Sequence, residues 1–163
     1  YLYIGSTTGM HIYDNNTPSN PTWLSTYSHV NSCDPVVVEG NYAYVTLRSG
    51  TECDGFTNQL DVVDISNKTN PTLAASFPMT NPHGLGIENG TLFLCDGADG
   101  LKVFNASNPL TVGDNMTQHF AGINAYDVIP FQKRLFMIGA DGFYQYDYTN
   151  PSNLVLLSVL SVQ

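Results

Sequence analysis

Residues 60–66 read Leu60-Asp61-Val62-Val63-Asp64-Ile65-Ser66, and Asn70-Pro71 closes the segment. An apolar run that ends in Asp and is soon followed by Pro describes a β-strand with a sharp stop, because Pro has no N–H with which to extend a ladder. The same pattern recurs at Gly9-Met10-His11-Ile12-Tyr13-Asp14 before Pro21, at Leu101-Lys102-Val103-Phe104-Asn105 before Pro109, and at Phe143-Tyr144-Gln145-Tyr146-Asp147 before Pro151. Asp64, Asn105 and Asp147 are 41 and 42 residues apart, whereas Asp14 and Asp64 are 50 apart because residues 49–58 are inserted. A period of ~40–45 residues with about four strands per unit is the mark of propeller blades.

The predicted fold is therefore all-β: a β-propeller of antiparallel four-stranded blades with a ~42-residue period. The blades fall at residues 1–30, 31–79, 80–122 and 123–163. In the second, 34–39 is a short apolar inner strand, Gly40-Asn41 turns the chain, 42–47 alternates, 60–65 follows the insertion, and 72–77 closes the sheet. In the third, 84–88, 91–95, 101–105 and 116–120 take these places, with Asn89-Gly90 as a strong hairpin signal. In the fourth the strands are 126–131, 135–138, 143–147 and 154–162. The first blade lacks its innermost strand, so the segment is expected to come from a longer protein and a larger propeller. No helix is expected, since Pro and Gly interrupt every window.

Asp or Asn at each strand end is suited to accept hydrogen bonds from the amides of the following turn, as in an Asx-turn. A residue that every blade needs is best read as building the blade.

Only 12% of the residues are charged, yet the formal net charge is −9. Such a surface repels phosphate backbones, and no basic stripe offers itself to nucleic acid. No run approaches the ~18 apolar residues of a membrane span, and no targeting segment is present. Cys33 and Cys53 lie in Ser-, Asp- and Gly-rich loops expected on one face, and Cys95 ends an apolar run. A Cys33–Cys53 disulfide, which implies an oxidising compartment, is the preferred reading; two free thiols or half of a metal site are the rivals.

The segment Leu60-Asp61-Val62-Val63-Asp64-Ile65-Ser66 with Asn70-Pro71 resembles the signature of LVIVD-repeat proteins, propellers of bacterial and archaeal cell surfaces. Asp14 with Pro21, Asn105 with Pro109, and Asp147 with Pro151 look like degraded copies. Asn81-Pro82-His83-Gly84-Leu85 and Ser32-Cys33-Asp34-Pro35 look like the loops of the long, lipid-anchored members in Bacteroidetes-type bacteria. The resemblance implies an outer-surface or secreted chain of about twice this length, places any lipid anchor outside the segment, and supplies no catalytic motif.

Asp34, His83 and Asp127 stand just before the innermost strands of three blades and are expected to converge, with Tyr126, on the channel mouth. Asp96, Asp99 and Asp141 would add carboxylates suited to Ca²⁺, or His83 to a transition metal. The competing reading is capping of strands and loops, and neither a D-x-D-x-D-G loop nor a paired-histidine motif is present, so no cofactor, metal ligand or catalytic residue is assigned. Ser32, His83 and Asp34 are the nearest approach to a hydrolytic triad but lack a glycine elbow. Phe56, in the inserted loop, is the preferred exposed contact. These readings favour a non-enzymatic, extracellular or outer-membrane-surface scaffold for protein interaction or adhesion within a larger surface complex. Glycan or metal-assisted ligand binding at the channel mouth is the alternative, and hydrolysis there the third.

Overall fold

Alternating apolar residues can bury one face of a strand only against another layer, so a chain built from such strands stacks sheets. The computed structural model of the protein describes residues 1–28, 35–50 and 57–162. Within them the strands are β1 (Leu2–Ser6), β2 (Gly9–Asp14), β3 (Thr22–Ser28), β4 (Val36–Glu39), β5 (Tyr42–Leu47), β6 (Gln59–Asp64), β7 (Thr72–Pro78), β8 (Leu85–Glu88), β9 (Thr91–Cys95), β10 (Leu101–Asn105), β11 (Met116–Phe120), β12 (Ala125–Phe131), β13 (Arg134–Gly139), β14 (Gly142–Asp147) and β15 (Val155–Ser161). They form one three-stranded and three four-stranded antiparallel sheets, each an up-and-down meander in sequence order. The chain has the β-propeller fold.

A short 3-10 helix, Pro109–Asp114, departs from the all-strand expectation. Asn108 accepts from the Leu110 amide as its N-cap and Pro109 starts the turn, which is the combination that nucleates a helical start. The Asn-Pro step that stops each strand is here also a helix signal.

Two compact units divide the chain, Tyr1–Pro78 and Met79–Gln163. In the first, Met10 and Ile12 of β2 pack with Ala43, Val45 and Leu47 of β5 and with Val63 and Ile65, all buried. In the second, Phe93, Cys95, Leu101 and Val103 of the third sheet meet Val128, Leu135, Met137 and Tyr146 of the fourth. Edge-on packing of Phe93 against Tyr148, with ring centroids 5.0 Å apart, joins these two sheets.

The four strand ends share one construction. The side chain of Asp14 accepts from the Asn16 amide at 2.8 Å, Asp64 from Ser66 at 2.8 Å, Asn105 from Ser107 at 3.0 Å and Asp147 from Thr149 at 2.7 Å. These are Asx-turns. The next residue sends its amide back to the neighbouring hairpin in three sheets: Ile65 to the Asn41 carbonyl, Ala106 to Gly90 and Tyr148 to Lys133. A β-bulge falls two residues before each Asx, at Ile12/Tyr13, Val62/Val63, Val103/Phe104 and Gln145/Tyr146, always against the outermost strand. A bulge adds local twist and bends the strand, so its repetition sets a common blade curvature.

Candidate functional site

The entry to β8 is held against β12 by backbone bonds. The Gly84 amide donates to the Tyr126 carbonyl at 2.8 Å, His83 donates to the Cys95 carbonyl at 2.7 Å, and Ala125 donates to the Gly97 carbonyl at 2.9 Å. This brings His83, Tyr126 and Asp127 together at one end of the second unit. The His83 and Tyr126 rings lie 5.6 Å apart and tilted, and the Asn81 side-chain nitrogen is 3.4 Å from His83 Nε2. A Cβ at Gly84 would run into the Asp127 carboxylate, so glycine is what permits this close approach.

The expected one-per-blade correspondence shifts by a residue. In the ladders, Cys95 bonds to the Gly84 carbonyl while Ile138, its counterpart, pairs with Asp127, so Tyr126 occupies the position of His83 and Asp127 that of Gly84. The cause is the position of the β12–β13 turn: Gln132-Lys133 takes the place of Asn89-Gly90, and the unbroken ladder from Phe131–Arg134 back to Asp127–Ile138 fixes the alignment, which the sequence hides because Gln-Lys is not a turn signal. Asp34, Phe56, Cys33, Cys53 and Ser32 lie outside the described residues.

The carboxylates proposed as a rim are engaged in building the loop. Asp96 is fully buried; its oxygens accept from the Asn81 amide at 2.7 Å and the Thr80 amide at 3.1 Å, and Lys102 Nζ lies 2.5 Å away. Asp99 pairs with the same Lys102 at 2.6 Å and accepts from the Thr80 hydroxyl at 2.8 Å. The Lys102 ammonium, followed by the Thr80 hydroxyl, holds Asp99 below the usual carboxylate range. Burial opposes the charge on Lys102, but Asp96 and Asp99 together outweigh it and raise its pKa. Asp127 Oδ1 accepts from the Val128 amide at 2.8 Å. Among the described residues no group of three or more His, Cys, Asp or Glu is placed to hold a metal ion. Burial, then the Asp127 and Asp96 charges, push the Cys95 thiol up and away from reactivity.

A second surface was not anticipated. On the fourth sheet one face carries Ile129, Phe131, Phe136, Ile138, Phe143 and Leu160, as the pairings Asp127–Ile138–Phe143–Leu160 and Ile129–Phe136–Gln145 require. Ile129 is 62% exposed, Ile138 48% and Leu160 68%. The equivalent residues of the third sheet, Phe93, Cys95 and Leu101, are fully buried by the fourth. Phe136 stacks on Phe143 at 6.0 Å, and a shallow hollow of about 80 Å³ opens between Ile129, Phe136, Ile138 and Phe143. The signal for it was available: Val155-Leu156-Leu157-Ser158-Val159-Leu160 is more apolar than the outer strands Thr22–Ser28, Thr72–Pro78 and Met116–Phe120.

The second sheet carries the strand Leu60–Asp64, its bulge and its Asx-turn on one meander, which is the unit that the signature describes. Residues 31–78 match the LVIVD repeat. The resemblance read from that strand is thereby matched over the whole second sheet. Among curated proteins none matches the chain. Among solved structures, a functionally unknown protein from Desulfotomaculum acetoxidans superposes with a TM-score of 0.74 at 13% identity, over 99% of this chain and 52% of that one. A nidogen/laminin complex structure gives 0.65 at 12% identity over 97% of this chain and 57% of the matched one. The N-terminal domain of Nup159 gives 0.63 at 15% identity, over 98% and 41%. At these identities the likeness is one of fold, and the chain spans about half the length of these structures. Propellers in this set thus include a structure of a protein complex. No described helix is long and apolar enough to cross a membrane.

Proposed function

We propose that this chain is a non-enzymatic, extracellular or cell-surface propeller that acts as a protein-interaction or adhesion scaffold. What supports this reading is the apolar face of β12–β15: it corresponds to the third-sheet face that the fourth sheet covers, so it calls for a covering layer, and a partner protein is the occupant proposed. Contiguous exposed apolar surface on an otherwise polar protein marks an interaction site, and a hollow flanked by stacked aromatics suits an apolar anchor side chain of a partner. The acidic balance of the chain is in keeping with protein rather than nucleic-acid partners. Replacing Ile138 and Phe143 together by Asp tests it: partner co-isolation is lost while the melting temperature stays within a few degrees of wild type. Retained partner with both substitutions in place would overturn the reading, and so would a collapse of the melting temperature, which would make the face the seat of a further blade.

A surface location also calls for the Cys33–Cys53 bridge. Closing a loop of that length contributes about 3 kcal/mol in the chain-entropy account. Reduction should lower thermal stability; two alkylatable thiols without reduction would remove the bridge and the argument for an oxidising compartment.

The channel-end group of His83, Tyr126 and Asp127 favours a second reading, small-ligand or glycan binding at that end, because an exposed Tyr126 ring lies beside an imidazole and a carboxylate. Substituting His83 and Asp127 together should abolish ligand binding under this reading and leave the protein partner bound under the first.

A further inference from the structure

At the opposite ends of the strands from His83, a cavity of about 210 Å³ opens between the third and fourth sheets. Asn89, Thr91, Asn105, Ser107, Thr117 and Ser152 supply its polar wall. Phe104 and Pro151 supply an apolar floor, and no lining residue is charged.

The third sheet ends its third strand in Asn105 where the corresponding strands of the other sheets end in Asp14, Asp64 and Asp147. Cross-strand from the terminal Asp stand Tyr42 in the second sheet and Arg134 in the fourth, where Arg134 ion-pairs with Asp147. In the third, Asn105 stands opposite Thr91. Relative to the fourth sheet both charged positions are neutral hydrogen-bonding groups, and the cavity lies over this pair. Thr91 is 7% exposed, and among the described residues its hydroxyl has no hydrogen-bond partner. Buried hydroxyls without a partner are rare and point to a missing occupant. Asn105 uses its oxygen on Ser107 and Thr117 gives its hydroxyl to the Val103 carbonyl, which leaves the hydroxyls of Thr91, Ser107 and Ser152 for an incoming molecule.

We propose that this cavity binds one neutral, polyhydroxylated ring, a single uncharged sugar residue. Its volume is below the ~300–1,000 Å³ of sites for drug-sized ligands, which limits the occupant to one ring. Hydroxyls and amides on the wall match ring hydroxyls, and the apolar floor of Phe104 and Pro151 matches the C–H face. The proposal is independent of the protein-docking face.

Saturation-transfer difference NMR on the intact protein with D-glucose, D-galactose and N-acetyl-D-glucosamine tests it. Transfer to the ring protons of at least one sugar is expected. Thr91→Val, isosteric but without the hydroxyl, should weaken binding about tenfold, the loss of one hydrogen bond. Ser107→Trp should abolish transfer by filling the cavity, and Ser152→Trp, on the exposed turn, serves the same purpose if the first variant fails to fold. Absence of transfer from all three sugars, unaltered binding in Thr91→Val, or transfer that persists in the filled variant would overturn the proposal; the first outcome would leave water as the occupant.

Discussion

Arg134 and Asp147 stand directly opposite one another on β13 and β14, and their side chains pair at 2.8 Å. The same carboxylate accepts from the Thr149 amide at 2.7 Å. One side chain thus stops a strand, shapes the following turn and ties two strands together. Thr149, more than Arg134, holds the Asp147 carboxyl below the usual carboxylate range, and the Ser66 amide does the same for Asp64.

A group whose folded pKa is depressed stabilises the fold above its unfolded value and loses that contribution as pH falls through the folded one. Asp64, Asp99 and Asp147 all have depressed values, so thermal stability should be level near neutrality and fall below about pH 4. Asp147→Asn keeps an Asx-turn, as Asn105 does in the third sheet, and should flatten part of the acid limb without changing the curve near pH 7. A melting curve against pH for the two proteins checks this; superimposable acid limbs would refute it.

Lys102 is the countercharge of a fully buried carboxylate, Asp96. Lys102→Met leaves that charge in the interior and should cost about 3–5 kcal/mol, whereas Asp96→Asn with Lys102→Met should cost less because the buried charge is gone. Urea unfolding of the three proteins measures both values. Equal loss in the single and double variants would show that the pair does not act as a unit.

Gln132 and Lys133 both have positive φ, 49° and 65°, in the β12–β13 hairpin, where the β8–β9 hairpin uses Asn89-Gly90 with 51° and 70°. Left-handed backbone costs roughly 1–2 kcal/mol for a residue that carries a Cβ, and Asn and Gly relieve it. Gln132→Asn with Lys133→Gly should therefore stabilise the protein by about 1 kcal/mol or more, read from the denaturation midpoint. Destabilisation would mean that the Lys133 ammonium, 5.8 Å from the Tyr148 ring centroid, is worth more than the strain.

The fold was legible in the sequence because each blade writes its strand and its stop with residues that have few other uses. Leu60–Asp64 and Leu101–Asn105 alternate, and Pro71 and Pro109 follow. Tyr42–Leu47, Thr91–Cys95 and Met116–Phe120 begin and end where the pattern places them. The four Asx-turns follow from the same residues. Other features are carried by geometry alone. The β12–β13 turn sets the β12 register so that Tyr126, not Asp127, stands where His83 does. Gln132-Lys133 turns the chain without a turn signal. Asp96 and Asp99 read either as rim carboxylates or as loop caps, and the structure decides for the loop, with Lys102, six and three residues on, folding back on both. The apolar face of the fourth sheet went unnoticed because apolar strand residues are taken as core by default; only the cross-strand pairing separates the buried Leu135 and Met137 from the exposed Ile138 and Phe143.

The most direct test of the scaffold account is the affinity of a co-isolated protein partner for three forms: wild type, Ile138→Asp with Phe143→Asp, and His83→Ala with Asp127→Asn. An anchor pair in the docking face should cost at least about 2 kcal/mol, roughly thirtyfold in dissociation constant, while the channel-end pair leaves affinity unchanged. Unchanged affinity in the Ile138 and Phe143 variant, with loss in the His83 and Asp127 variant, would contradict the account and move the working surface to the channel end.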